Sequence, residues 1–174
     1  MSVPIPLPEN DRLPDEIRET LAKLPPLNVF RMVANAPASF RGFLELATSI
    51  LTKSEFDPRK REIAVLRVAH VTRSNYEWTQ HVAVARRTGV RDEEIAVIAA
   101  EDPVRSLGEE DNLLCRVADE ISLKVRLSDE ALQRIVARYG VRQATELILC
   151  VSYFNMLSRF LESTRVALEQ APAP

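Results

Sequence analysis

The chain has 174 residues, a length that favours one domain with a sizeable hydrophobic core. Its hydrophobic content of 46%, charged content of 28% and net charge of −2 are ordinary for a soluble protein, and they give no reason to expect nucleic acid or an anionic membrane as partner. Only four glycines are present, which disfavours a turn-rich β protein and a glycine-rich phosphate loop. No apolar run reaches the roughly 18 residues that span a bilayer.

The first third of the chain is predicted to form an extended arm followed by three helices. Three prolines in residues 1–12 predict an extended arm, and a short helix is expected from Asp15 to Leu24. A brief helix follows from Asn28, its expected cap, to Ala34. The next helix, Ala38 to Thr52, has apolar side chains at helical spacing, which favours core or subunit packing over the wall of a pocket.

Residues 58–89 predict two helices joined by a tight turn. The first, at about 58–73, is apolar nearly all round, and such a helix belongs in the middle of a domain. Asp57 is its expected N-cap. The second, at about 76–88, ends before Gly89, a residue that suits a C-terminal cap. We therefore expect this hairpin to lie inside the protein.

Four more helices are expected after the hairpin, and no strand pattern, repeat or low-complexity segment accompanies them. The sequence predicts an all-α bundle with an N-terminal arm and short helix at 1–26, a main domain at 27–169 and a disordered tail at 170–174. The four predicted helices span 91–101, 109–125, 128–139 and 141 to about 169.

The two cysteines, Cys115 and Cys150, are far apart in the sequence and form neither a Cys-x-x-Cys pair nor a metal-ligand cluster. We interpret both as small core residues of a reduced, cytoplasmic protein. The first residues also lack the basic start and long apolar stretch of a signal peptide.

Glu77 and His81 are four residues apart and share one face of the second hairpin helix. We expect them to pair, with Glu77 held ionised by the helix N-terminus and favouring the protonated imidazole. Ser74 and Glu77 also fit a capping box, in which each side chain bonds the backbone N–H of the other residue. That structural role does not exclude a functional one.

Glu62 lies in the apolar first hairpin helix and needs a partner, because an unpaired buried carboxylate is costly. Arg67 or His81 could supply the partner, and both a catalytic acid/base role and a structural ion pair remain open for Glu62. Glu62, Glu77 and His81 could together form a metal site of two carboxylates and an imidazole, but no recognised metal motif is present, so neither a metal nor another cofactor is expected.

Four neighbouring residues are candidates for binding a substrate. Tyr76 could line the mouth of a pocket and donate a hydrogen bond, and Ser74 stands at the start of the same helix. His70 fits a structural or pocket-lining place better than catalysis. Trp78 follows Glu77 directly and so points elsewhere, which favours core packing.

The spacing of Glu62, Ser74, Glu77 and His81 resembles that of the carboxymuconolactone decarboxylase family, which includes the AhpD-like alkyl hydroperoxidases. The hydroperoxidases have a Glu followed twelve residues later by Cys-x-x-Cys-x-x-x-His. Ser74 and Glu77 stand at the two Cys positions here, and His81 at the His. Tyr-Glu-Trp-x-x-His resembles a thiol-free subgroup, although this subgroup usually has Gly-x-Tyr where the chain has Val151-Ser152-Tyr153.

The resemblance implies an AhpD-like helical bundle that forms a homo-oligomer, as a dimer, trimer or hexamer. Peroxidase turnover is not expected, since serine cannot replace a redox thiol. The favoured hypothesis is a cofactor-free decarboxylase or isomerase of a small carboxylated lactone or aromatic-catabolite-like compound, with Glu62, Glu77 and His81 as catalytic residues. The alternative is a relative that has lost redox activity and serves as a binding or scaffold protein.

Overall fold

A computed structural model describes residues 3–169, and all the regular structure in that range is helical. The all-α prediction is confirmed. The predicted tail at 170–174 and the first two residues of the predicted arm lie outside the described residues. The helices are α1 (Asp15–Leu21), α2 (Asn28–Ala34), α3 (Pro37–Thr48), α4 (Pro58–Val71), α5 (Asn75–Arg87), α6 (Asp92–Ala100), α7 (Glu109–Lys124) and α8 (Asp129–Thr164).

Helix α4 lies at the centre of the bundle and packs against α5, α6, α7 and α8. Each side chain from 61 to 69 is buried, as the nearly continuous apolar run predicts. The helix begins as expected, with the Asp57 carboxylate accepting from the backbone N–H of Lys60 at 2.9 Å. Helix α5 returns beside α4 and ends at Arg87, and Gly89, two residues later, has a left-handed φ of 93°. The hairpin predicted from the sequence is therefore the core of the fold.

Helix α8 contains the two helices that the sequence predicts on either side of Gly140. The break is local: Gly140 has φ 74° and ψ 170°, a backbone conformation that a side chain would strain, and helical geometry resumes at once. The second segment supplies one wall of the core through Leu147, Val151 and Phe154.

The end of α8 differs from the prediction. The helix stops at Thr164, with Arg165 in the left-handed region at φ 56°, rather than continuing to about 169. The chain then folds back so that the Glu169 carboxylate accepts from the backbone N–H of Asn28 at 2.6 Å and from Gln80 Nε2 at 2.6 Å. Apolar periodicity could not reveal this reversal, because the residues that hold Glu169 lie far away in the sequence.

Candidate functional site

His81 of α5 is bound to Glu62 of the buried helix α4. The distance from His81 Nδ1 to Glu62 Oε2 is 2.7 Å, and Glu62 is completely buried. The second carboxylate oxygen of Glu62 accepts from Arg61 Nε at 3.2 Å. Burial alone would raise the pKa of Glu62, but the hydrogen bond from His81 and the charges of His81 and Arg61 outweigh it and lower the pKa. Glu62 is thus the ionised member of the site.

Glu77 does not hydrogen-bond His81, so the pairing expected from their shared helix face is wrong. Its side chain points into the core instead, where Oε2 accepts from the hydroxyl of Ser158 on α8. Glu77 is 2% exposed, and burial raises its pKa to about 7 against the opposing effects of Ser158 and His81. Burial thus opposes the ionised state of Glu77 that the helix N-terminus was expected to favour, because desolvation disfavours the charged carboxylate.

The predicted capping box of α5 is absent. Ser74 occupies the N-cap position with an extended backbone, yet its hydroxyl bonds none of the free N–H groups of the first turn. Among the described residues, Ser74 Oγ and Glu77 Oε1 are the buried side-chain oxygens that have no hydrogen-bond partner. Glu77 cannot reach back to the helix start while its carboxyl group contacts Ser158.

Helix α8 supplies site residues that sequence reasoning did not select. Phe154 packs edge-on against the His81 ring, with 4.8 Å between the ring centroids, and Tyr153 packs edge-on against Phe154 at 5.2 Å. Ser158 follows Phe154 by one turn and carries the hydroxyl that bonds Glu77. The spacing of the apolar residues within α8 predicts only a stripe of side chains that packs in the core. The useful signal would have been the hydroxyl of Ser158 within that stripe.

Arg61 is the other residue that the sequence reading missed. It is 7% exposed, bonds Glu62 through Nε and donates from an Nη1 N–H to the carbonyl of Leu51 at 3.1 Å. Leu51 belongs to a π-helical turn, Ser49–Lys53, which extends α3 and forms the nearby edge of the core. Arg61 therefore balances the charge of Glu62 and ties α4 to the end of α3.

Tyr76 lies in the core rather than at a pocket mouth. It is 4% exposed, its hydroxyl accepts from the backbone N–H of Val29 at 3.1 Å, and it donates to Glu169 at 2.5 Å. Burial and the neighbouring Glu169 carboxylate raise the pKa of the Tyr76 phenol. The hydroxyl of Tyr76 is thus fully used in holding the returning C-terminal segment.

His70 and Trp78 contact each other, with 6.1 Å between their ring centroids. Burial and the positive charge of Arg67 lower the pKa of His70. Arg67 is not the partner of Glu62, since its guanidinium bonds Asp119 at 2.5 Å. The structure therefore brings together Glu62 and His81, with Glu77 one turn before His81, and places His70 and Trp78 in a separate cluster.

Surface pockets of about 280–490 Å³ occur elsewhere on the described part of the chain, and none of them is lined by Glu62, Glu77 or His81. The most accessible of the three side chains is His81, which is 14% exposed. Within residues 3–169, no cluster of histidine, cysteine and acidic side chains is arranged to hold a metal ion. None of the helices in that range is long and apolar enough to cross a membrane.

Comparison with known proteins gives a family and a fold. Residues 37–120 match the model of the carboxymuconolactone decarboxylase family. The fold is similar to an alkylhydroperoxidase AhpD core, an uncharacterised peroxidase-related protein from Ralstonia eutropha JMP134, with a TM-score of 0.81 and 17% identity over 97% of this chain and 94% of that one. A peroxidase-related protein from Silicibacter sp. TM1040 gives a TM-score of 0.79 at 16% identity, covering 96% and 91% of the two chains.

A third similar structure is a protein of unknown function from Agrobacterium tumefaciens, described as a candidate AhpD antioxidant-defence protein. It has a TM-score of 0.67 at 17% identity and covers 80% of this chain and 96% of its own. Among curated proteins, none matches the chain. At sequence identities this low, the structural similarity establishes the AhpD-like fold alone. The chemistry has to be argued from the residues of this chain.

Proposed function

We propose that this chain, whose residues 37–120 match the model of the carboxymuconolactone decarboxylase family, is a cofactor-free acid/base enzyme that acts on a small carboxylated compound. A decarboxylase or isomerase of a carboxylated lactone, or of a compound resembling an aromatic catabolite, fits the family best. One observation carries the proposal: Glu62 holds the His81 imidazole at 2.7 Å, while a second buried carboxyl group, Glu77, lies one turn away on the helix of His81 and has its pKa raised by burial.

Glu62 and His81 form the first half of the proposed machinery. When Nδ1 of His81 carries a proton, it donates to Glu62 and leaves Nε2 free to exchange a proton with a substrate. A buried carboxylate that fixes the tautomer and orientation of a histidine in this way is a recurrent feature of acid/base sites. Glu62 is therefore proposed to position His81, and His81 to transfer the proton.

Glu77 forms the second half. With its pKa raised to about 7, the carboxyl group can carry or release a proton near neutral pH, whereas an ordinary glutamate is ionised there. General acid/base groups of this kind supply roughly 10²–10⁴-fold of rate acceleration each. Glu77 replaces the second thiol of the hydroperoxidase pattern, so it brings proton chemistry to a position where the peroxidases have redox chemistry.

Thiol peroxidase activity is not part of the proposal. Neither Ser74 nor Glu77 can form the disulfide that a Cys-x-x-Cys pair forms. The two cysteines of the chain are buried, and burial raises the pKa of both Cys115 and Cys150 to about 12. Each thiol is therefore protonated at neutral pH and a poor nucleophile.

A binding or scaffold protein is the second candidate function. The observation in its favour is that Glu77 is 2% exposed and that the described surface pockets lie away from it. A ligand would have to displace side chains of α5 or α8 to reach the carboxyl group. A protein with no turnover would keep the same closed packing for stability alone.

The test is a screen of carboxylated lactones and small aromatic acids, first by thermal shift and then by NMR detection of decarboxylation or isomerisation. A ligand that binds the folded state raises the melting temperature by mass action. Turnover should fall by about 10²-fold or more in His81→Ala and Glu77→Gln. His70→Ala is the matched control, because His70 is the other histidine and lies outside the site. Ligands that bind without any turnover would favour the scaffold alternative.

A further inference from the structure

A groove runs along the outer face of α7, away from the proposed acid/base site. This α7 groove has a volume of about 490 Å³ and is bordered by the loop at 103–105 and by Arg134 of α8. Its lining on α7 extends from Glu109 to Lys124, which is about 22 Å of helix at a rise of 1.5 Å per residue. A smaller cavity of about 280 Å³ shares Glu109 and Arg134 with it and lengthens it. The shape therefore suits an elongated ligand.

The acidic side chains of the α7 groove already have cationic partners within this chain. The three bonds are Arg67 to Asp119 at 2.5 Å, Arg116 to Glu120 at 2.9 Å and Arg134 to Glu109 at 3.0 Å. Arg105 and Lys124 also line the groove, and no carboxylate in residues 3–169 forms an ion pair with either of them. These two cations are therefore available to an anionic ligand.

The end of the groove carries apolar side chains that water surrounds. Leu123 lines the groove and is 62% exposed, and Val125, at the C-cap of α7, is 88% exposed. Val125 has φ 70°, a left-handed conformation that costs a β-branched residue most and that usually belongs to glycine at a helix end. Because the side chain is exposed, packing within this chain does not compensate for the strain. Strained residues of this kind cluster at binding sites.

We propose that the α7 groove binds an acidic peptide segment of another protein. Carboxylates of the segment would pair with Arg105 and Lys124, and an apolar side chain would pack on Leu123 and Val125. Arginine-rich surfaces recognise acidic motifs by such pairing. An extended chain covers about 3.3 Å per residue, so about six or seven residues would span the groove. A bilayer surface fits less well, because it could not reach the floor of a groove. The interaction does not depend on the acid/base function.

The test is fluorescence anisotropy with a dye-labelled octapeptide of alternating glutamate and leucine. Wild type should bind it roughly tenfold or more tightly than the octapeptide with lysine in place of glutamate, and added salt should weaken the binding. The double variant Arg105→Glu/Lys124→Glu should bind the acidic peptide roughly tenfold or more weakly, because like charges then meet. The same variant should bind the lysine peptide more tightly than wild type does.

The matched control is the double variant Lys23→Glu/Arg87→Glu. Both residues are exposed and lie outside the groove, and the change in net charge is the same. Its affinity for the acidic peptide should equal that of wild type. Equal losses in the two double variants would show attraction to the whole protein rather than to the groove. That result, or no binding of the acidic peptide by wild type, would overturn the inference.

Val125→Gly separates docking from a purely structural role. Glycine adopts a left-handed φ without strain, so the melting temperature should rise, while the loss of the apolar side chain should weaken peptide binding severalfold. Unchanged affinity in both Val125→Gly and Leu123→Ser would overturn the proposed apolar contact. Binding of vesicles that contain phosphatidylserine, without binding of the peptide, would assign the surface to a membrane instead. A lower mass of Leu123→Glu in light scattering would make the groove a contact between copies of this chain, which also contradicts the proposal.

Discussion

The imidazole of His81 is held by Glu62 across the α4–α5 interface, with 2.7 Å between Nδ1 and Oε2. Glu62 is fully buried and also bonds Arg61, so the histidine is anchored to a buried ion pair on the central helix. Glu77, one turn before His81 on the same helix, is left free to bond Ser158. The two glutamates therefore differ in what their removal should do.

Glu62→Gln should destabilise the protein much more than Glu77→Gln. Removing the charge of Glu62 leaves Arg61 buried without its counter-charge and weakens the bond to His81, a loss of about 3–5 kcal/mol for a buried pair. Below pH 7 Glu77 is largely neutral, so an amide in its place should cost within about 1 kcal/mol. Urea denaturation of both variants at pH 6 measures the difference. Equal losses would mean that Glu62 is not held as an ionised partner.

Ser74→Ala should leave stability nearly unchanged, whereas Ser128→Ala should lower it. Both serines occupy N-cap positions, but only the Ser128 hydroxyl accepts from the helix, from the N–H of Ala131 at 3.3 Å. Loss of a working N-cap costs about 1 kcal/mol. Ser74 makes no such bond, so alanine also removes a buried, unbonded hydroxyl. Thermal denaturation of the two variants is the measurement, and a cap-sized loss for Ser74→Ala would restore the capping box.

The sequence predicted the parts of the site that depend on local spacing. The continuous apolar run placed Glu62 in the centre of the fold, and the resemblance pointed to His81 as a site residue. The sequence could not predict which way the Glu77 side chain points, because its partner Ser158 lies 81 residues away. Tyr76 and Glu169 are 93 residues apart, and their contact decides that the Tyr76 hydroxyl is unavailable. Partners of this kind follow from how the helices pack, which helical periodicity does not encode.

Neither cysteine should support peroxide turnover. Cys115 is completely buried and Cys150 is 3% exposed, and burial raises the pKa of each thiol to about 12. A thiol reagent should therefore label the native protein slowly and the urea-denatured protein rapidly. Peroxide consumption with a dithiol reductant should be at background in wild type and in the Cys115→Ser/Cys150→Ser double variant. Rapid turnover that disappears in the double variant would show that one thiol is reactive after all.

The protein should form a homo-oligomer through an apolar face of α8. Leu149 and Met156 are 48% and 46% exposed and lie two helical turns apart on one side of the helix. A glutamate at both positions should shift the mass seen by light scattering toward the 19.6 kDa of one chain. Leu123→Glu is the control, since Leu123 is 62% exposed on α7. A 19.6 kDa wild-type species at micromolar concentration would contradict the prediction.

The stability of the protein should fall as the pH rises through 7, because of Glu77. Its folded pKa of about 7 lies above the ordinary value of 4.5, so the folded state binds this proton more tightly than the unfolded state does. The contribution to stability is fully present below pH 4.5 and is lost as the pH passes 7. A pKa of about 7 in place of 4.5 corresponds to about 3 kcal/mol, and the carboxyl group is too deeply buried for solvent to screen much of this effect. The free energy of unfolding should be measured for wild type and Glu77→Gln between pH 5 and 8, since their difference removes the effects of other groups. Wild type should lose roughly 2–3 kcal/mol relative to the variant over that range. A difference that does not change with pH would show that Glu77 is ionised in the folded protein, and the proton-carrying role would then have to be given up.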